Sequence, residues 1–345
     1  MKSIAENIEN VNFNLDLETT TGTGEILQDF SSTGKERPWK IHKQENLRLV
    51  EIYKMTKEKK INLISDSRLF DLEHCADTLL FVENEERKRK LKQANFCRVR
   101  LCPVCQWRRS LKMFGQVKMI TDRILEQDKG TRFIFGTFTV KNVDAENLEA
   151  CIDNLNKKFR YLVASSLTFA PAKKLKQNLL GYLKAVEVTY NSKDKTYHPH
   201  LHVIFAVRPN FFAGKQNYMS KKEWISLWQQ ALGVDYKPQT DIRAIKSGTA
   251  KAVAEVAKYP VKTAPILKLD DDEAVEVLKT LTFCLHKKRF VSYGGIFKTA
   301  KQELKLADVE TDKDLVNTDI EQQERFNAVT AVLFKYNFKF GCYIC

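Results

Sequence analysis

Three of the six histidines in this 345-residue chain lie within one short segment, "TYHPHLHVIF", residues 196–205. Histidines there occupy every second position, and the segment runs into apolar residues. Alternate side chains of a β-strand share a face, so the segment predicts a strand with His200 and His202 side by side. On the opposite face, Leu201 and Val203 would point into a core. Few folds accommodate such a strand, because two neighbouring imidazoles on one face need polar partners.

The preceding segment, "LGYLKAVEVTYN" (residues 180–191), is a second predicted strand, joined to the first by the turn-rich "NSKDKT". An antiparallel pair can place Glu187 beside the histidines. A carboxylate buried between two valines needs a partner or a cation. We therefore predict a divalent-cation site, for Mg²⁺ or Mn²⁺, formed by Glu187, His200 and His202, with His198 as a further candidate ligand. The alternative for Glu187 is an ordinary ion pair with a lysine.

The flanking segments predict an α+β fold with an antiparallel sheet and helices on one face. Aromatic and β-branched residues indicate strands, and apolar residues at a spacing of three to four indicate helices. Ser220 and Gly233 have the residue types that begin and end helices. In chain order the prediction is a strand at 131–142, a helix at 147–165, the two strands above, a helix at 220–233, a strand at 240–246 and a helix at 248–262.

A cysteine cluster in "FCRVRLCPVCQWRRS" (residues 96–110) indicates a second metal site, because its two-residue spacing with proline is typical of a zinc knuckle. The cluster supplies three thiolates, and a structural zinc site needs four ligands. The alternative is buried free thiols. Cys97, Cys102 and Cys105 form the cluster, and the candidates for a fourth ligand are Cys75, His74, Cys342 and Cys345.

Arginines are interleaved with the clustered cysteines and with a tryptophan. Arginine side chains held on a rigid metal site can contact phosphates and guanine bases. As a hypothesis, this module contacts DNA through Arg98, Arg100, Arg108 and Arg109.

The composition supports a polyanionic partner. Lysine and arginine number 57 against 43 aspartates and glutamates, which gives a formal charge of +14. Such a surplus favours nucleic acid, since each neutralised phosphate releases counterions; the alternative is an inert basic surface. Mean hydropathy is −0.39 and no run of eighteen apolar residues occurs, so we expect no membrane segment. The N-terminus lacks the apolar core of a signal peptide, so we expect a cytoplasmic protein.

Composition shifts predict four regions along the chain. The charged segment "ENEERKRKLKQANF", residues 83–96, is predicted to be a helix, and "AVLFKYNFKF" near the end is a candidate strand. The regions are a flexible leader (1–36), a basic helical zinc-binding and DNA-binding region (37–130), a sheet domain (131–265) and a mainly helical C-terminal region (266–345).

A tyrosine on the last predicted helix is a candidate nucleophile. Glu255 and Tyr259 are four residues apart and so share a helical face, with Lys258 and Lys262 nearby as candidate DNA contacts. A tyrosine near lysines and a metal can attack a DNA phosphate, and the carboxylate can activate water. The alternative is an ordinary pair of surface residues.

The ordered motifs "FGTFTV", "HPHLHVIF" and "EVAKY" resemble the HUH endonucleases. Together with "CRVRLCPVCQWRRS" and "YLKAVEVTYN" they more closely resemble the replication initiator (Rep) proteins of rolling-circle plasmids from Gram-positive bacteria. The resemblance covers residues 70–300 and implies an HUH fold with a five-stranded antiparallel sheet. It implies that Tyr259 nicks the plus strand at the double-stranded origin, that Glu255 assists the terminating cleavage, and that Cys75 is the fourth zinc ligand.

The resemblance also implies partners and a reaction course. Origin DNA and its extruded single strand would be the substrate, a host helicase the partner, and a homo-oligomer is left open. The nick would leave a 5′-phosphotyrosine and a free 3′-OH. Other classes remain open: a mobilisation relaxase or single-tyrosine transposase of the same superfamily, a non-catalytic zinc-dependent DNA-binding regulator, and a histidine-triad nucleotide hydrolase, which shares alternating histidines but is a small domain without a cysteine module.

Overall fold

A computed structural model of the chain describes residues 19–20, 22–31, 34–164, 167–245, 263–318 and 328–345. The chain divides into two compact units, each assembled from separate segments. Unit 1 comprises residues 1–112, 270–275 and 312–345, and unit 2 comprises residues 113–269 and 276–311.

The described segments contain both helices and strands. The strands are β1 (Thr19–Thr20), β2 (Thr78–Glu83), β3 (Arg89–Ala94), β4 (Arg132–Thr139), β5 (Leu179–Asn191), β6 (Thr196–Val207), β7 (Thr240–Ile245), β8 (Val291–Gly295), β9 (Thr330–Asn337) and β10 (Cys342–Ile344). The α-helices are α1 (Trp39–Glu58), α2 (Asp66–Glu73), α3 (Pro103–Gln127), α4 (Leu148–Val163), α5 (Ala170–Asn178), α6 (Gly214–Asn217), α7 (Lys221–Leu232), α8 (Thr263–Ile266), α9 (Asp271–Cys284) and α10 (Ile296–Glu303), and a 3₁₀-helix spans Pro209–Phe212. Of the helices described, none has the length and apolar character needed to cross a membrane.

Unit 2 contains the predicted five-stranded antiparallel sheet, in the order β7-β4-β6-β5-β8. Strands β4 to β7 and helices α4 and α7 lie where the sequence predicts them. The fifth strand, β8, comes from the C-terminal region that the sequence predicts to be mainly helical. Its approach to β5 is very close: a Cβ on Gly181 would lie 2.6 Å from the carbonyl oxygen of Gly294. Only glycine fits there.

Helices cover both faces of this sheet, so the prediction that they cover one face is wrong. On one face, Phe138 of β4 and Phe205 of β6 pack against Trp224 of α7. On the other face, Phe135 and Ile204 belong to a core with residues of α3 and α10. The side chains of His200 and His202 have the same parity as Ile204. They therefore lie on the α3 side, just beyond the end of that core.

Helix α7 shows how local sequence sets the element boundaries. Ser220 accepts a hydrogen bond from the backbone N–H of Glu223, and the Glu223 carboxylate accepts one from the backbone N–H of Ser220. This reciprocal capping box begins the helix. Gly233 ends it with a φ of 72°, a left-handed conformation that favours glycine. Both residues act as the sequence predicts.

Unit 1 is a small α+β unit, and here the sequence prediction fails in one segment. The segment 83–96, predicted as a charged helix, instead contributes to the β2–β3 hairpin, whose turn places Arg87 at a φ of 57°. Near the C-terminus, β9 pairs with β2 and β10 pairs with β9. The candidate strand near the C-terminus is therefore confirmed. Helix α1 lies within the region 37–130 that the sequence predicts to be helical.

The positive charge of the chain is concentrated in unit 2. Unit 2 carries 32 lysines and arginines against 17 aspartates and glutamates, a formal charge of +15. Unit 1 carries 25 against 26, a formal charge of −1, and the two values sum to the +14 of the whole chain. The electrostatic attraction for a polyanion therefore resides in the unit that holds the histidine strand, rather than in the region of the cysteine cluster.

We predict that Lys184→Met stabilises unit 2. Burial, together with the charge of Arg160, lowers the pKa of Lys184 to about 8, and its ammonium is hydrogen-bonded to Asn156. Since the folded pKa lies below the unfolded value, the buried ammonium costs stability at every pH below 8. We expect the variant to gain about 1–2 kcal/mol at pH 7 in urea unfolding.

The gain should stay constant below pH 8 and disappear towards pH 10.5, where the unfolded lysine also loses its proton. Lys173→Met, at an exposed position of α5, serves as the control and should leave the unfolding curve unchanged. A loss of stability at pH 7 in Lys184→Met would contradict the prediction.

Candidate functional site

Within the described ranges, two groups of metal-ligating side chains have converging ligand atoms, and the first lies on the central strands of unit 2. Glu187 of β5 lies directly opposite His200 of β6 in the antiparallel register. One carboxylate oxygen of Glu187 is 2.8 Å from Nε2 of His202 and 3.4 Å from Nε2 of His200. All three residues are buried. The sheet thus brings together the two histidines and the carboxylate that the sequence singles out.

Neighbouring groups hold both imidazoles with their Nε2 atoms towards the carboxylate. The Nδ1 atom of His200 is 3.1 Å from the carbonyl oxygen of His198, to which it can donate. The Nδ1 atom of His202 is 3.2 Å from the hydroxyl of Thr137, its register partner on β4, and its ring stacks on Phe135. When Nδ1 carries the proton, Nε2 presents a lone pair, as a metal ligand requires. The arrangement can therefore hold a divalent cation.

The electrostatics of the site favour an ionised carboxylate. Burial by itself raises the pKa of Glu187, but hydrogen bonds from His200 and His202, together with their charges, outweigh it and hold the pKa well below the ordinary value. A bound cation can supply the same compensation.

His198 does not join the group of converging ligands. Its imidazole is half-buried and stacks on that of His200, with ring centroids 5.1 Å apart. Burial, followed by the charge of His200, lowers its pKa, which favours the neutral ring. The described geometry therefore gives His198 a supporting position: its backbone carbonyl, rather than its side chain, orients His200.

The second group is a buried cluster of four cysteines in unit 1. The Sγ atom of Cys105 is 3.7 Å from those of Cys75 and Cys97, and the Sγ atoms of Cys75 and Cys102 are 3.6 Å apart. Four sulfurs bound tetrahedrally at about 2.3 Å from one metal ion would be about 3.8 Å apart. The spacing therefore fits a tetrahedral metal centre.

N–H groups surround the sulfurs in the way that thiolate ligands require. Backbone N–H groups donate to Cys75, Cys97 and Cys105 at 3.3–3.4 Å. The side-chain amide of Asn46 on α1 donates to Cys102 at 3.5 Å. Burial is the largest influence on the pKa of Cys75, which it raises, so the thiolate form here needs a cation. Donor set, spacing and burial all fit a bound metal ion.

Lys43 also holds the cysteine cluster in place, a role that the sequence analysis did not predict. Its buried ammonium on α1 donates to the backbone carbonyl of Cys75 at 3.0 Å and to that of Glu73 at 2.8 Å, and pairs with Asp77. These bonds fix the turn that presents the Cys75 thiol. Lys43 and Asn46 share the buried face of α1 with apolar residues. Their spacing on that face is the only feature of the sequence that could have indicated this role.

The structure distinguishes among the candidates for the fourth cysteine-site ligand. Cys75 is in the cluster. His74 is partly exposed, and its Nδ1 atom is 2.8 Å from a carboxylate oxygen of Asp77, away from the sulfurs. Cys342 and Cys345, both in the described C-terminal segment, lie outside the group of converging ligands.

The structure contradicts the assignment of Arg108 and Arg109 to DNA contact. Arg108 is fully buried; its guanidinium donates to the carbonyl oxygens of Leu315 at 2.9 Å and Val316 at 2.7 Å. Arg109 is 4% exposed and donates to the carbonyl oxygen of Arg98 at 3.2 Å. Both guanidiniums tie backbone segments of unit 1 together and are not available to a phosphate.

The other predicted site residues have different outcomes. Arg98 is exposed and Arg100 partly exposed, so both stay candidates for DNA contact. The predicted helix at 248–262 lies outside the described residues. Tyr259, Glu255, Lys258 and Lys262 are on that segment, and their assignments stay predictions.

Comparison with known proteins identifies the family. The replication protein family matches residues 88–344. The chain belongs to this family. It is 38% identical over 312 residues to Protein rep of Streptococcus pneumoniae serotype 2 (strain D39 / NCTC 7466), covering 89% of this chain and 92% of the relative. No solved structure matches the chain.

Two further relatives extend this similarity. Protein rep of Lactiplantibacillus plantarum is 38% identical over 324 residues, covering 91% of this chain and 97% of the relative. Protein rep of Bacillus amyloliquefaciens is 37% identical over 330 residues, covering 89% and 94%. These matches confirm the expected resemblance to Rep proteins. The structure confirms the α+β fold with its five-stranded sheet. The matches extend over both units of this replication protein.

We predict that the cysteine cluster holds one metal ion per chain and that Cys102→Ser releases it, because the hydroxyl is a poor substitute for a thiolate. Metal content after dialysis, measured by plasma mass spectrometry, checks this. Cys342→Ser and His74→Ala are the controls and should retain the metal. Loss of the ion from Cys342→Ser with retention in Cys102→Ser would contradict the assignment.

Proposed function

We propose that the protein initiates rolling-circle replication of a plasmid by nicking and rejoining the plus strand at its double-stranded origin. The observation that carries this proposal is the buried group of Glu187, His200 and His202, held on adjacent antiparallel strands in a member of the replication protein family. A cation at this group and a nearby nucleophile are the parts that a metal-dependent nickase requires. The proposed DNA partner would place the protein in the cytoplasm.

In the proposed reaction, the origin strand is presented single-stranded and its scissile phosphate lies over the ligand group. Glu187, His200 and His202 would hold a Mg²⁺ or Mn²⁺ ion. Such an ion withdraws charge from phosphate oxygens when it is bound. The chain's own contribution is to keep the two Nε2 atoms and the carboxylate oxygen converged, through the Thr137 hydroxyl and the His198 carbonyl.

Tyr259 is the proposed nucleophile. Its phenolate oxygen would attack the phosphorus and form a tyrosyl–phosphate bond, while the P–O3′ bond breaks and a 3′-OH leaves as the primer for polymerase. Glu255, four residues earlier in the sequence, would take a proton from the water that resolves the regenerated junction. Lys258 and Lys262 would contact flanking phosphates. These four roles come from the resemblance and from helical spacing.

For unit 1 we propose a structural Zn²⁺ at the four cysteines. Four buried thiolates in a closed tetrahedral arrangement favour zinc, and such a closed site leaves no position for a substrate. The ion would stabilise unit 1 against unfolding. Arg98 and Arg100 remain proposed contacts to DNA, and a host helicase and self-association are proposed partners carried by the resemblance alone.

The family match supports a replication initiator over a mobilisation relaxase or a transposase, which would use the same chemistry on other DNA. A non-catalytic regulator is less well supported, because it gives no reason for a buried carboxylate facing two imidazoles. A histidine-triad nucleotide hydrolase is the least supported, because its histidines do not act with a partner carboxylate and a cysteine cluster.

We predict that the wild-type protein, incubated with Mn²⁺ and a single-stranded origin oligonucleotide, forms a covalent protein–DNA adduct that Tyr259→Phe abolishes. The adduct is measured as a band of reduced mobility on a denaturing gel, and removal of the cation should also prevent it. Tyr161→Phe, at an exposed position of α4, is the matched control and should give the wild-type yield.

An adduct that persists in Tyr259→Phe would assign the nucleophile to another tyrosine. Absence of any adduct from the wild type, on origin oligonucleotides of both strands, would favour the DNA-binding regulator. Supercoiled plasmid relaxed to an open circle by the wild type gives an independent readout of the same nick.

We predict that Glu187→Gln raises the Mn²⁺ concentration for half-maximal adduct formation by about ten- to a hundred-fold, because the amide keeps the shape but loses the charge that attracts a cation. A titration of Mn²⁺ at fixed oligonucleotide concentration measures this. Glu146→Gln, at an exposed position before α4, is the control. An unchanged Mn²⁺ requirement in Glu187→Gln would remove Glu187 from the ligand set.

A further inference from the structure

A groove of ≈480 Å³ lies in unit 2 beside the ligand group. Helix α7 contributes Lys221 and Ile225 to its lining, the segment before β7 contributes Lys237 and Gln239, and strand β7 contributes Asp241. Its volume is in the range of sites that hold one small molecule or one nucleotide.

Strand β4 lies between the groove and the ligand group. Thr137 lines the groove, and its hydroxyl oxygen is 3.2 Å from Nδ1 of His202. Thr139 also lines it and lies opposite His200 in the β4–β6 register. A molecule in the groove is therefore separated from the metal ligands by one side chain. A molecule bound in the groove would lie next to a DNA phosphate held at Glu187, His200 and His202.

The wall of the groove before β7 is anchored at both ends. Gly233 ends α7, and the hydroxyl of Tyr236 accepts a hydrogen bond from the backbone N–H of Lys141, whose ammonium lies 4.4 Å from the ring centroid. At the other end, both the backbone N–H and the hydroxyl of Thr139 donate to the carbonyl oxygen of Gln239, at 3.2 and 3.0 Å. The groove is thus formed before a ligand arrives, which lowers the entropy cost of binding.

The chemistry of the lining fits a nucleotide. Two exposed ammonium groups, on Lys221 and Lys237, stand at the rim, in the unit that carries the +15 charge. Ile225 and Pro238 give apolar surface against which a base can lie. We propose that this groove binds the nucleotide adjacent to the scissile phosphate of a single-stranded DNA substrate, an inference that rests on the proposed nicking function.

Polar side chains within the groove give the subsite a base preference. Asp241, which is paired with Arg243 at 2.7 Å, presents a carboxylate that accepts hydrogen bonds, and the amide of Gln239 both donates and accepts. Exocyclic amino groups of cytosine, adenine or guanine can donate to acceptors of this kind, whereas thymine has no amino group and offers only its ring N3–H. The subsite therefore selects a base with an exocyclic amino group and disfavours thymine.

The electrostatic half of the proposal is tested by binding. A fluorescein-labelled 20-nucleotide single-stranded oligonucleotide of mixed sequence is titrated with the full-length protein, and the anisotropy gives Kd as a function of salt. Lys221→Ala combined with Lys237→Ala should weaken binding by about ten-fold or more and reduce the salt slope by about one to two. Lys222→Ala, the neighbouring exposed lysine outside the groove, should leave both unchanged.

A double variant that binds within two-fold of Lys222→Ala overturns the proposal. Melting curves of the wild type, the double variant and Lys222→Ala establish that folding is intact. This is expected because all three substituted lysines are exposed. Since this measurement needs no cleavage, it reports on the groove even if Tyr259 is not the nucleophile.

The base preference is tested by cleavage. A single-stranded library with a randomised window is incubated with the wild type and Mn²⁺, adducts are isolated, and the sequences on both sides of the nick are read. We expect thymine to be depleted about ten-fold at one position beside the nick. Asp241→Ala and Gln239→Ala should each reduce that depletion while preferences at other positions persist; Gln230→Ala, exposed on α7 outside the groove, should not.

This experiment distinguishes failure of the proposed subsite from failure of the proposed nicking function. Adducts that form in the wild type with no such position, or with a preference unchanged by Asp241→Ala, overturn the subsite and leave the nicking function standing. Absence of adducts from the whole library overturns the nicking function itself, and the base-reading role of the groove with it.

Discussion

The register of β5 against β6 is the constraint on which unit 2 depends. Glu187 is buried directly opposite His200, and a buried carboxylate is tolerated only with a partner of opposite charge or a cation. Sliding one strand by a single residue would turn His200 and His202 to the face packed by α4 and α7 and bring Leu201 into their place. Two requirements therefore fix the register of β5 against β6. The apolar side chains must face the core, and the imidazoles must face the Glu187 carboxylate.

The two units divide the physical tasks of the chain. Unit 2 holds the whole of the surplus positive charge, so it can attract a polyanion over long range, while unit 1 is close to neutral and contains the four-cysteine cluster. A cation among four thiolates does not add positive charge to a surface. The guanidiniums of Arg108 and Arg109 do not either, since both side chains are buried and donate to backbone carbonyl oxygens. The buried arginines of unit 1 therefore stabilise structure.

The sequence correctly predicts those elements of the fold whose conformation is set by neighbouring residues in the chain. The alternation in 196–205 and the turn before it were sufficient for β5, β6 and the carboxylate opposite His200. The segment 83–96 looked like a helix because it is rich in charged residues with helical propensity. Its strand conformation depends on pairing with β2 and on ion pairs such as Arg89 with Glu83, which is nearby in space because of the turn. The burial of Arg108 depends on carbonyls more than 200 residues away, which no local pattern reports.

The order of segments also constrains how unit 1 folds. Its central strand β9 and the adjoining β10 come from the last sixteen residues of the chain, yet β9 pairs with β2, more than 240 residues earlier. Such non-local pairing is slow to form, and until β9 arrives one edge of β2 is unpaired. The four cysteines, in contrast, all lie between residues 75 and 105. A metal ion bound there can fix the β2–β3 hairpin against α1 before the rest of the sheet exists. A metal ion bound at the cysteine cluster would then contribute to folding as well as to stability.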